Sequence, residues 1–270
     1  MIDLHTHLLP GIDDGSKSLE QSHQMAKIAV DDGITIMACT PHIYPGLYMN
    51  DAEGINAARD KLQVSLDEAG IKLQLVVGAD AHLVPELLSG LQSGRVPTLN
   101  RSRYFLLEPS HNVAVPNFAE SVFEIMAAGY LPVITHPERL TWIEDHYSTF
   151  VDLAKRGAWM QITSGAVLGK FGSRAKYWSE RLLSEGWVHI IASDAHNTGR
   201  RSPLIAEALE QAIKRVGKAE GLRMVVDRPQ AILNNAAPDQ VRLVPGLLGT
   251  SEAASATWRN PLRKIQHFFS

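Results

Sequence analysis

The chain has 270 residues, 45% of them hydrophobic and 20% charged, with a formal net charge of -3. That length accommodates one α/β barrel with a tail, because such barrels routinely form a single domain, and the slightly acidic, ordinary globular composition disfavours nucleic acid as the main partner. Cys39 is the only cysteine, so an intrachain disulfide is excluded and a reducing compartment fits.

The first residues, Met1-Ile2-Asp3-Leu4-His5, lead straight into a β-type run without the basic and apolar regions of an export signal. No apolar run approaches the roughly 20 residues that span a bilayer, and a cytoplasmic protein is expected. Short β-type runs are predicted at residues 2–5, 34–39, 73–77, 104–107, 132–135, 159–163 and 188–192. Most are continuously apolar, as parallel strands covered on both faces should be. Ser18 and Gln21 form a capping box ahead of Met25, Ile28 and Ala29, and Gly33 stops that helix. Further helices are predicted at 51–69, 118–128, 147–155, 175–185 and 203–216, most of them ending at a glycine. This alternation predicts a closed, seven-stranded parallel β/α barrel over residues 1–240. Residues 241–270 read as a linker, rich in Gly, Ser and Ala at 245–257, and a basic, aromatic tail at 258–270 suited to a membrane surface or a partner, or to packing on its own domain.

Potential metal ligands fall at the ends of the predicted strands. His5 and His7 close the first, His42 follows the second, Asp80 the third and Glu108 the fourth; His136 follows the fifth, and Asp194 and His196 the seventh. In a parallel barrel these ends share one face, so residues almost 200 positions apart converge on one mouth. The two-residue spacing of His5 and His7 puts both imidazoles on one side of an extended strand. The nitrogen and oxygen donor set suits Mn²⁺, Zn²⁺ or Fe²⁺ rather than a cysteine-rich structural site. Two ions roughly 3.5 to 4 Å apart can activate water for in-line displacement at phosphorus, and Arg139 or the Arg200-Arg201 pair could clamp the phosphate. Cys39 reads as a small buried strand residue.

The strings His5-Thr6-His7, Asp13-Asp14-Gly15, Thr40-Pro41-His42, Thr135-His136-Pro137-Glu138-Arg139 and Ser193-Asp194-Ala195-His196-Asn197, with Glu108, resemble the polymerase and histidinol phosphatase superfamily over residues 1–235. Within it they are most similar to the bacterial manganese-dependent protein tyrosine phosphatases, which oppose tyrosine autokinases in capsule and exopolysaccharide synthesis. The resemblance implies a distorted seven-stranded β/α barrel with up to three ions. His5, His7 and Asp194 would hold the first, Glu108 and His136 the second, with Asp80 bridging, and Asp14, His42 and His196 the third. Arg139 and Arg201 would bind phosphate, and Asp13 is the weaker ligand of its pair. The family usually has Glu at the bridging position, where this chain has the shorter Asp80. His82 is expected beside the cluster or facing solvent.

The predicted activity is therefore metal-dependent hydrolysis of phosphotyrosine on a bacterial tyrosine kinase, with no covalent phosphoenzyme. The cysteine route needs an arginine six positions after the cysteine, where Cys39 is followed by Pro45. The competing readings are a phosphatase of a small ester such as histidinol phosphate or of a nucleic-acid end, an amidohydrolase, and a non-catalytic metal-bound scaffold for a polysaccharide assembly partner.

Overall fold

A computed structural model describes residues 1–248. The tail expected at 258–270 and most of the linker before it lie outside the described residues. Nine strands run through the described chain: β1 (Ile2–Thr6), β2 (Ile36–Cys39), β3 (His42–Ile43), β4 (Gln74–Val77), β5 (Asp80–His82), β6 (Tyr104–Glu108), β7 (Leu131–Thr135), β8 (Trp159–Thr163) and β9 (Ile190–Ala192). All paired strands are parallel, in a three-stranded sheet β1-β2-β4 and a six-stranded sheet β3-β5-β6-β7-β8-β9.

The fold is thus α/β with parallel strands, but the hydrogen-bonded unit is not the single seven-stranded ring expected. The second and third runs are each divided. β2 breaks at Thr40-Pro41, where proline has no N–H for the ladder, and β4 breaks at Gly78-Ala79; the chain resumes as β3 and β5 in the other sheet. Single bonds carry the pairing through the breaks: Thr40 N donates to Thr6 O at 2.9 Å, extending the β1–β2 ladder, and Asp80 N to Pro41 O at 3.1 Å, leading into the β3–β5 ladder. At the far side His7 N donates to Ala195 O and Asp194 N to His5 O, both at 2.9 Å, bringing the segment after β9 against β1.

The helices between strands are α1 (Leu19–Asp31), α2 (Ala52–Glu68), α3 (Leu87–Gln92), α4 (Phe118–Ala127), α5 (Ile143–Arg156), α6 (Ser164–Val167), α7 (Gly172–Ser184) and α8 (Ala206–Val216). Ser18 caps α1 by accepting from Gln21 N at 3.2 Å, while the Gln21 side chain reaches back to Lys17 N at 2.8 Å rather than to Ser18. The predicted helix at 147–155 begins four residues earlier, at Ile143, behind Trp142, which makes no side-chain cap. After α8 come α9 (Lys218–Leu222), a π-helical turn (Arg223–Asp227) and α10 (Arg228–Leu233), a stretch with no counterpart among the predicted elements. Among the described residues no helix is long and apolar enough to cross a membrane.

Two apolar cores follow from strand alternation. Phe105 and Leu107 of β6 pack in the outer core beneath the helices, with residues such as Met25 and Phe150. Tyr104 and Leu106, of opposite parity, join Leu4, Ala38, Val76, Val133, Trp159 and Ile190 in an inner core closed by Ile232 and Leu233 of α10. Successive side chains of a strand point to opposite faces, so the inner parity carried forward reaches Glu108 from Leu106, Asp80 from Val76 and His42 from Ala38. In β1 a register irregularity between Asp3 and Thr6 interrupts the regular ladder across the segment that holds His5 and just before His7.

Candidate metal centre

Nine predicted ligands meet at the carboxyl ends of the strands. Their donor atoms form overlapping groups, each within 4.8 Å: His7, Asp14, His42 and His196; His5, His7 and Asp80; His5, His136 and Asp194; His42, Asp80 and Glu108. Asp80 belongs to two of these, its Oδ2 lying 3.3 Å from His5 Nε2 and 3.4 Å from His42 Nδ1. A further group, Glu108 with His111 and His136, includes a residue the sequence reading missed. His111 lies in the loop after β6, where no strand spacing pointed to it, yet its Nε2 is 3.3 Å from Glu108 Oε1.

The donor set fits cations on structural grounds. Three histidines have one ring nitrogen held by a neighbour, leaving Nε2 aimed at the cluster. His7 Nδ1 donates to Asp13 Oδ2 at 2.7 Å, His196 Nδ1 donates to the Asp194 carbonyl at 3.0 Å, and His5 Nδ1 pairs with Gln161 Oε1 at 2.9 Å. Such outer partners orient metal-binding imidazoles. The Nε2 atoms of His5 and His7 then face each other at 3.3 Å, close enough for one cation to take both. Both Asp80 oxygens and His196 Nε2 are buried without a hydrogen-bond partner, which is costly unless a cation satisfies them. Asp13, expected as the weaker ligand of its pair, is instead spent on His7, Gly15 N and His42 N. Gly15 is required there, since a Cβ would fall 2.2 Å from the His7 carbonyl oxygen.

Charge is organised as the burial demands. Burial works against the His5 imidazolium, but Asp80 and Asp194 outweigh it and raise its pKa to about 9. Burial likewise opposes His42, and Glu108, Asp80 and Asp14 raise it to about 10. His196 is lowered to about 4 by burial and by His7. Burial opposes ionisation of Asp194, yet His5, Arg201 and Arg139 hold it well below the usual carboxylate range. His136 and Asp194 both adopt left-handed backbone, at φ 36° and 51°, a conformation that non-glycine residues keep at functional sites when the surroundings enforce it.

Arg139 and Arg201 converge on one atom. Arg139 Nη1 contacts Asp194 Oδ2, and Arg201 Nη2 lies 2.6 Å from the same oxygen. Arg200 turns away and donates to Lys170 O at 2.8 Å, so of the pair it is Arg201 that reaches the cluster. Both clamp candidates line a cleft of about 360 Å³ with Asp14, His42, Glu108 and Asp194. One wall of the cleft is apolar: Tyr44 stacks on His82 at 3.9 Å, Tyr48 on His42 at 5.4 Å, and Leu47, 63% exposed, projects between them in sequence. His82 Nδ1 lies 3.5 Å from Glu108 Oε2, beside the cluster as expected. Cys39 is buried away from the cleft, its thiol pushed up to about 12 by burial.

Comparison with known proteins agrees with this geometry. The chain is 36% identical over 236 residues to the tyrosine-protein phosphatase YwqE of Bacillus subtilis, covering 87% of this chain and 92% of that one. It is 31% identical over 240 residues to the tyrosine-protein phosphatase CpsB of Streptococcus pneumoniae, covering 86% and 98%. A solved structure from the pair YwqE and CpsB, described as unique metal-dependent tyrosine phosphatases, superposes with a TM-score of 0.84 at 33% identity, over 88% of this chain and 96% of that one. The family model for capsular polysaccharide synthesis, CpsB/CapC, matches residues 1–234, and the chain belongs to that family.

Proposed function

We propose that this protein is a metal-dependent protein-tyrosine phosphatase, and that its substrate is a phosphotyrosine on a bacterial tyrosine kinase of a capsule or exopolysaccharide system, in the cytoplasm. The observation that carries the reading is the joint convergence of nine imidazole and carboxylate ligands with two arginines in one cleft. The two sheets act as a distorted β/α barrel whose carboxyl-end mouth is the active site. His5, His7 and Asp194, then Glu108 and His136, then Asp14, His42 and His196 would hold up to three ions, with Asp80 shared by the first two despite its shorter side chain. Mn²⁺ suits this nitrogen and oxygen donor set best, with Fe or Zn as alternatives. Bound divalent ions supply Lewis acidity and acidify water for in-line attack at phosphorus.

The chain's own residues do the rest. Asp13, Gln161 and the Asp194 carbonyl hold His7, His5 and His196 in the tautomer that presents Nε2. Arg139 and Arg201 present guanidinium donors to the phosphoryl oxygens, where charge is spread in the transition state. Tyr44, Leu47 and Tyr48 give the cleft an apolar wall that suits an aryl leaving group better than an aliphatic one. No nucleophilic thiol is called for, and Cys39 is placed too deep to serve.

Turnover of metal-loaded protein on a phosphotyrosine peptide, histidinol phosphate and a single-stranded DNA end tests the reading. The phosphotyrosine peptide should be the best substrate and chelation should abolish hydrolysis. Preferential hydrolysis of histidinol phosphate would reassign the substrate, and inactivity of fully metallated protein would favour a scaffold.

A further inference from the structure

The loop between α6 and α7 carries an aromatic ring that no part of the metal cluster needs. Arg139 Cζ lies 4.4 Å from the Phe171 ring centroid, and Arg201 Cζ lies 5.9 Å from the same centroid. The two arginines come from different parts of the chain, one after β7 and one after β9, yet both meet this ring as well as Asp194. Arg201 Nε is buried without a hydrogen-bond partner, so the ring is one of few features fixing that guanidinium.

The ring is itself held. Gly165 in α6 leaves the space it occupies, since a Cβ there would come within 2.8 Å of Phe171 Cε2. Lys170 N donates to Gly165 O at 2.8 Å, closing the loop on the helix. Arg200 Nη2 donates to Lys170 O at 2.8 Å, which ties the segment bearing Arg201 to the loop bearing the ring. A guanidinium over an aromatic face keeps the N–H donors on its edge free for a bidentate anion.

We propose that Phe171 is a positioning residue for the phosphate clamp, seated in a notch made by Gly165 and holding Arg139 and Arg201 side by side before substrate arrives. The proposal rests on the reading of these arginines as phosphate ligands. Phe171 does not touch the phosphoryl group; it limits the rotamers the two long side chains would otherwise explore, so binding immobilises less. Desolvated cation–aromatic contacts predict a weakening of phosphate binding by about 2- to 30-fold when the ring is lost.

Calorimetric titration of inorganic phosphate into the metal-loaded full chain tests this, alongside KM and kcat on p-nitrophenyl phosphate, metal content and melting temperature. Phe171→Leu should weaken phosphate binding and raise KM more than it lowers kcat, with metal content and melting temperature kept. Phe171→Tyr should bind phosphate as the parent does, and Gly165→Ala, by displacing the ring, should weaken binding in the same direction as Phe171→Leu. Unchanged phosphate affinity in Phe171→Leu overturns the proposal, as does loss of its metal or its melting temperature, which would mark Phe171 as a packing residue. Arg139→Ala separates the two layers: if it weakens phosphate binding while Phe171→Leu does not, only the positioning role falls, and if neither does, the clamp falls with it.

Discussion

At the carboxyl ends of the strands Asp80 keeps both oxygens buried and free of hydrogen bonds, whereas at the amino ends the equally buried Arg228 meets Glu220 at 2.7 Å and donates to the carbonyls of His189 and Leu243. Both poles bury charge in a compact fold, but at the lower one opposite charges pair within the chain, Glu220 lying between Arg228 and Arg223. There α10 covers the inner core, Trp159 stacks on His189 at 5.0 Å, and Tyr104 packs against Trp159. The upper pole crowds histidine nitrogens and carboxylates into mutual contact, a donor set that cations would satisfy. Buried charge at one end is therefore paired within the chain, where losing one partner is costly, and at the other it is gathered where chemistry can use it.

Substitutions at the two poles should separate these roles. The largest effect on folding is expected for Arg228→Ala, which leaves Glu220 in the interior with Arg223, 3.0 Å from its Oε2, as its remaining cation; chemical denaturation should show a loss of about 3 kcal/mol, the lower end for a broken buried pair, with turnover per folded molecule kept. A loss below about 1 kcal/mol would mean that the lower pole is not held by this pair. At the upper pole Asp80→Asn should do the reverse. Turnover should fall at least about 100-fold, by analogy with the 10- to 100-fold cost of losing outer-shell metal partners. The unfolding midpoint of metal-free protein should stay close to the parent's, and bound metal, read by elemental analysis, should drop.

A smaller effect distinguishes the poles by pH. His189 is buried, accepts from Met160 N at 3.1 Å, and is held well below the ordinary histidine range by burial and by Arg228. Its folded pKa lies below its unfolded value, so the unfolded chain binds more protons and stability falls as pH drops below about 6.5. His189→Gln, which keeps an acceptor for Met160, should make the loss of stability between pH 7.5 and 5.5 shallower by about 1 kcal/mol; an unchanged slope would remove His189 from the account. The smallest effect is expected for Cys39→Ser, which should hydrolyse p-nitrophenyl phosphate with metal content intact, whereas loss of hydrolysis at full metal content would reopen the thiol route.

Strand alternation and strand-end position made most of the upper pole legible in the sequence, because the chemistry depends on residue types that stand out: His5, His7, His42, Asp80, Glu108, His136, Asp194 and His196 each follow an apolar run. His111 escaped because it sits in a loop where neither period applies, and Phe171 because an aromatic beside two glycines looks like turn packing until the arginines are seen above it. The division of two strands was hidden because hydrophobic pattern marks where a strand runs, not which partner its ladder joins; Pro41 and Gly78 were the available signals. The helical stretch at 218–233 escaped for another reason: it packs across the strand ends and breaks into a π-helical turn, so no single helical period runs through it. Arg228 and Glu220, nine-tenths buried or more, read in sequence as ordinary surface charges.

The central claim is that distant side chains close around adjacent cations. An anomalous difference map from crystals grown with Mn²⁺, collected at the manganese edge, tests it most directly. Two or three peaks should appear among His5, His7, Asp14, His42, Asp80, Glu108, His136, Asp194 and His196, with Asp80 touching two of them. A map with no peak in that cleft, or with manganese bound elsewhere, would contradict the account.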